Sequence, residues 1–352
     1  MCGLSQLMTT NKLSSANENI APARTLLLQD VAWLVAIVTI MATAGIWTWL
    51  SPRPEIGQVA VLWLPSAVLA VALLRNWGRP VFCLGAIAVF IGVGVYPAIE
   101  TKTELGAMAL LIVDVIEVMI LVLGLVVWFG KSFRLNTALN VATFGVVCVV
   151  ACAIGGVLAG IVSQIPLGAT VIATKAPLQV GVAWFTSDLA TYFLVAAPII
   201  ALTGRGSGHL LASIRKFPLG LVLGAPTIMG LTFAGFAIPQ WLALKTGLAL
   251  GSGGLILVAF PLATYLAFTR GPAIAALTGA AIGVPAIYAT MAGIGPFGSG
   301  NAAANVFDMQ ATLIVCVFTL LLIGAMGDEM RARSASLERA LDEAIKIRQG
   351  RS

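Results

Sequence analysis

The chain has 352 residues, of which 59% are hydrophobic and 10% charged, with a net charge of +6 and a mean hydropathy of +1.01. A water-soluble domain carries about 25% charged residues, so this composition excludes a soluble fold and points to an integral membrane protein, all-α and polytopic. The basic residues sit singly in short loops instead of forming a patch, which excludes a nucleic-acid partner and follows the rules of membrane topology.

Residues 1–30 are polar, with no apolar core before position 26, and are expected to form a disordered cytoplasmic tail rather than a signal peptide. Beyond them, Gly, Pro and charged residues divide the chain into ten candidate spans: 31–50, 57–74, 80–98, 105–129, 137–163, 178–202, 218–240, 251–268, 271–293 and 305–325. Each is near the roughly 20 residues needed to cross a bilayer. Within 251–293 only Arg270, Gly271 and Pro272 mark a division.

About ten transmembrane helices put both termini on one side. With the ends inside, Lys12, Arg24, Arg75, Arg79, Lys131, Arg134, Arg205, Arg215, Lys216, Arg270 and the six basic residues from Arg331 to Arg351 are cytoplasmic. Only Arg53, Lys102, Lys175 and Lys245 lie outside, a bias of the expected sign. An internal echo runs through the chain, since "WLPSAVLAVALLRNWGRP" (63–80) and "AFPLATYLAFTRGP" (259–272) both read Pro, apolar helix, Arg, Pro. Repeats of this kind occur in transporters, although Pro and Gly are frequent in membrane helices generally.

The ending differs in kind. Met330, Leu337, Ala340 or Leu341, Ala344 and Ile347 recur every three to four positions, while Glu338, Arg339, Asp342, Glu343 and Lys346 fill the remainder. That pattern predicts a short, coiled-coil-like cytoplasmic helix continuing from the last span. It reads either as a solvated helical end or as a parallel two-stranded coil in a homodimer through 328–349.

Three carboxyl residues fall inside apolar runs, Asp114 and Glu117 in the fourth span and Asp188 in the sixth. At 1.5 Å per residue, Asp114 and Glu117 lie about 13 and about 18 Å from the outer start of their helix, and Asp188 about 15 Å from the start of its own. All three thus sit near the midplane, and Asp114 and Glu117 share a helix face. No Lys or Arg lies within a predicted span to neutralise them. Either they are neutral and hydrogen-bonded to neighbouring helices, or they form a site for an ion or a small ligand.

Trp47, Trp49, Trp63, Trp128, Trp184 and Trp241 lie at or near span ends, as in an aromatic belt. Cys2, Cys83, Cys148, Cys152 and Cys316 show no metal-ligand spacing, and His209, the only histidine, falls in a polar loop. No nucleophile constellation, phosphate-binding glycine loop, metal motif or cofactor motif is present, so no enzyme is indicated.

Three stretches resemble the membrane-associated sensor domain of the first type (MASE type 1), a bacterial multi-span input module: "VLWLPSAVLAVALLRNWGRP", "VAWFTSDLATYFLVAAPIIAL" and "GIGPFGSGNAAANVFDMQ". The matching positions are Trp63, Pro65, Trp184, Asp188, Pro198, Gly295, Pro296 and Phe297, and the likeness spans about residues 30–327. Where that family has Gly after its Trp-x-Pro, this chain has Ser66 and Ala67. The resemblance implies a sensory domain over 31–327 in a bacterial inner membrane. The connector helix at 328–352 would relay a signal to a histidine kinase or to a diguanylate cyclase of cyclic-di-GMP signalling.

No output domain follows the connector in this sequence. A stand-alone sensor acting on a separate partner, a truncated form of a longer protein and a sensor-derived protein with another task are all consistent with that ending. The candidate ligand-binding residues are Asp114, Glu117, Asp188, Trp63 and Trp184, for an unknown small ligand. Ten spans, midplane carboxyls and the internal echo equally fit a secondary transporter or permease, and a scaffold that only assembles partners is a third class.

Overall fold

The computed structural model describes residues 61–101, 104–130, 132–165, 176–203, 219–246, 256–293, 297 and 302–349, and every regular element among them is helical. The elements are α1 (Leu64–Arg75), α2 (Pro80–Thr101), α3 (Glu104–Phe129), α4 (Ala138–Val162) and α5 (Pro177–Thr191). A π-helical turn (Tyr192–Ala196) leads on to α6 (Ala197–Thr203), followed by α7 (Leu219–Thr246), α8 (Ile256–Arg270), α9 (Pro272–Met291) and α10 (Ala302–Gln349). The 1–30 tail, the 31–50 span, Trp47, Trp49, the His209 loop, Gly295 and Pro296 lie outside the described residues.

Five helical stretches are long and apolar enough to cross a membrane: Leu105–Phe129, Ala138–Val162, Pro177–Thr203, Pro272–Met291 and the rod from Ala304. Large apolar side chains such as Val127, Val157 and Leu178 cover their outer faces, a surface compatible with a lipid environment. Backbone groups in such a setting must bond within their own helix, which is why the apolar runs fold as helices.

Local punctuation falls where the sequence places it. Pro65 lies in the first turn of α1, Thr137 caps α4 by accepting a hydrogen bond from Asn140 N at 3.1 Å, and Pro177 begins α5. Between α8 and α9 the chain turns at Gly271, whose φ of +88° is a left-handed value that favours glycine, and Pro272 then starts α9. The division inside 251–293 therefore stands at the expected residues. The internal echo does not extend to helix geometry, because Pro65 lies in the first turn of its helix whereas Pro261 lies inside α8.

The π turn has a local cause. Pro198 has no N–H for the Leu194 carbonyl, and its ring would crowd that oxygen in a regular helix. The helix widens just before it, and Ala197 N–H reaches back five residues to Tyr192 O.

α10 packs widely within the bundle. It lies against α8 and α9 and also against α4, α5 and the π turn. Phe193 of the π turn meets Phe318 of α10 edge-on at 5.8 Å and Phe144 of α4 at 5.6 Å. Small residues allow α4 and α5 to approach closely: a Cβ on Gly156 would fall 2.5 Å from Gly181 O, and one on Gly160 2.7 Å from Pro177 O.

Candidate functional site

Asp114 and Glu117 of α3 and Asp188 of α5 come together in the bundle interior, 2%, 0% and 2% exposed. Glu117 is the hub. Asp114, Asp188, Trp184, Tyr192 and Cys152 all face its carboxyl group, while Trp63 faces Asp114. Each wall is fixed by backbone packing. Glu117 lies directly over Gly155 of α4, where any side chain would collide with Oε2, and Cys152 donates its thiol to Glu117 Oε1 at 3.5 Å.

The start of α1 is tied to the same region. Trp63 N donates to Thr191 Oγ1 at 3.0 Å, Ser66 Oγ donates to Trp63 O at 2.8 Å, and Gln310 Nε2 of α10 donates to Val61 O at 2.7 Å. These bonds hold the Trp63 indole above the carboxyls from a different helix. Trp184 lies two turns inside α5 with its indole nitrogen buried, so it belongs to the core of the site and not to an interfacial belt. Trp128, at the end of α3, is 75% exposed, as a belt residue would be.

Hydrogen bonding in the cluster is incomplete. Asp114 Oδ1, Glu117 Oε2, Asp188 Oδ1, Trp63 Nε1, Trp184 Nε1 and Tyr192 OH are buried and face one another without forming bonds of normal geometry. Buried polar groups are usually paired, so six open atoms in one place mark this region apart from the surrounding apolar core. No Lys or Arg occurs in the helical residues 64–74, 105–129, 138–162 or 177–203 that surround it.

Of the residues singled out by sequence, Asp114, Glu117, Asp188, Trp63 and Trp184 are brought together. Pro65 and Pro198 shape the adjoining helix start and π turn, whereas Phe297 lies apart in the turn before α10. Tyr192, Cys152 and Gly155 complete the site without having been anticipated. The available signal was spacing, since Tyr192 follows Asp188 by one helical turn and Gly155 follows Cys152 by three residues on the same face.

Two polar assemblies lie at the end of the bundle from which α10 emerges. Arg75 donates to Thr203 Oγ1 at 3.0 Å, Phe133 O at 2.8 Å and Ile200 O at 2.7 Å, which ties α1 to the end of α6 and to the loop before α4. On α10, Glu329 Oε1 accepts Ala138 N at 2.7 Å, occupying the N-terminus of α4. Asp328 lies against Gly271 at the N-terminus of α9, and Arg331 pairs with Asp328 and donates to Phe268 O. Gly327 packs directly on the Phe268 carbonyl. Carboxylates at helix N-termini and a guanidinium at a late carbonyl all suit the local dipoles.

Beyond this collar the rod extends into open space. Leu337, Leu341 and Ile347 are 60–70% exposed, and the rest of 336–349 is exposed as well. At 1.5 Å per residue the 48-residue α10 is about 72 Å long, more than twice a hydrocarbon core of about 30 Å. No family model, curated protein or solved structure matches the chain.

Proposed function

We propose that the protein is a non-enzymatic sensory input module of the MASE type 1 kind. Its bundle, of about ten spans with both ends in the cytoplasm of a bacterial inner membrane, detects a ligand or a membrane state. α10 relays the result to a separate histidine kinase or diguanylate cyclase. The observation that carries this reading is the continuity of α10: one unbroken helix packs within the bundle, passes through the collar at 327–331 and ends in an exposed amphipathic stripe. A rigid rod transmits rotation or translation from one end to the other, and its apolar stripe supplies the surface on which a second copy forms a parallel coil.

The transporter reading draws on the buried carboxyls, and substrate uptake into proteoliposomes separates the two. The relay reading is tested with a dimerisation-dependent reporter fused after Ser352 and compared with a chain ending at Gly327. A signal that requires residues 328–352 and varies with growth conditions is the expected result. Equal signals from the two chains refute the relay.

A further inference from the structure

Three carboxyl groups share one buried cluster, and no basic side chain lies in the helical residues around them. Three uncompensated charges in such an interior are far outside what burial tolerates. Bound protons or a bound cation would relieve them. The groups facing the carboxyls speak against a cation. Trp63 Nε1, Trp184 Nε1 and Tyr192 OH can all donate hydrogen bonds to a carboxylate, and an indole N–H can do nothing else. A cation would require acceptors at those places, and among the described residues no three His, Cys, Asp or Glu side chains are arranged to hold a metal ion.

Tyr192 gives an independent sign. It is fully buried, and its hydroxyl is aimed at the Glu117 carboxyl from the first residue of the π turn without reaching a hydrogen bond of normal geometry. A donor so placed is positioned to shorten its bond to Glu117 when that carboxyl is ionised. The other titratable groups facing the site are Cys148 and Cys152 of α4, while α1 contributes only the non-titrating Trp63.

We propose that Asp114, Glu117 and Asp188 form a proton-binding site that exchanges protons with the aqueous phase. When a carboxyl O–H bond breaks, its proton passes to water, and the carboxylate left behind accepts hydrogen bonds from Tyr192 and the two indoles. Closing the bond to Tyr192 draws on the π turn, and neighbouring Phe193 abuts Phe318 of α10. Proton occupancy is thereby connected to the output rod. This last step rests on the sensor reading, whereas the site itself does not.

The test is infrared difference spectroscopy of the full chain in lipid nanodiscs, following the carbonyl stretch of protonated carboxyl groups as pH is varied. The expected result is a band that shifts in heavy water and disappears as pH rises. It should be partly lost in each of Asp114→Asn, Glu117→Gln and Asp188→Asn, and be unchanged in Asp308→Asn, an exposed carboxyl on α10. A band that survives the triple substitution, one that never changes with pH, or no band at any pH overturns the proposal. Displacement by sodium but not by choline at fixed pH also overturns it, in favour of a cation site. The wild-type titration and heavy-water shift need no variant to fold. A chain ending at Gly327 should keep the band even if the relay is absent, so failure of the sensor reading is distinguishable from failure of the site.

Discussion

Gly155 sets the position of Glu117 more directly than any polar contact, because a single methyl group there occupies the space of Oε2. Gly155→Ala is expected to lower stability by about 1–3 kcal/mol, the usual cost of overpacking. Gly92→Ala, at a helical glycine with nothing within 4 Å of the added Cβ, should raise it by up to about 1 kcal/mol. Thermal unfolding of the two variants in detergent checks the contrast. Arg75→Met should cost about 2 kcal/mol in the same assay by removing a charged donor from three acceptors. The three carboxyls were legible from sequence, since an ionisable residue in an apolar run is exceptional in itself. Tyr192 and Cys152 were not, because a phenol or a thiol in such a run is unremarkable until the fold sets it beside Glu117. Trp184 was named as a candidate through its motif, although its distance from the helix end says nothing about which neighbour its indole meets.

Among the elements, α10 and the π turn join the buried cluster to the exposed rod, and they differ in how much the sequence disclosed. The rod was legible because its pattern changes from uniformly apolar to amphipathic without a Pro or a strong break. The collar was not, because Asp328, Glu329 and Arg331 read as ordinary solvated charges until Ala138, Gly271 and Phe268 are placed beside them. The π turn was also hidden, since Pro198 permits either a kink or a widened turn and tertiary packing selects between them. Glu329→Ala removes the side chain from the α4 N-terminus and is expected to cost about 1 kcal/mol. It should also increase hydrogen exchange at the first turn of α4 while leaving the middle of α3 unchanged.

For the whole molecule, the composition and the apolar runs identified a helical membrane bundle, and five helices bear that out by length and composition. The convergence of α3, α4 and α5 on one polar cluster is a tertiary property, and no periodicity within a single helix contains it. On the sensory reading proposed above, the state of this cluster is communicated to the exposed stripe on α10. The most direct measurement is disulfide cross-linking in native membranes with single cysteines introduced by Leu341→Cys on the stripe and Arg339→Cys on the opposite face, each with and without Asp188→Asn. Efficient cross-linking at 341, little at 339, and a yield at 341 that changes when Asp188 is neutralised are expected. Equal yields on the two faces, or a yield at 341 unmoved by Asp188→Asn in a chain that folds normally, would contradict that reading.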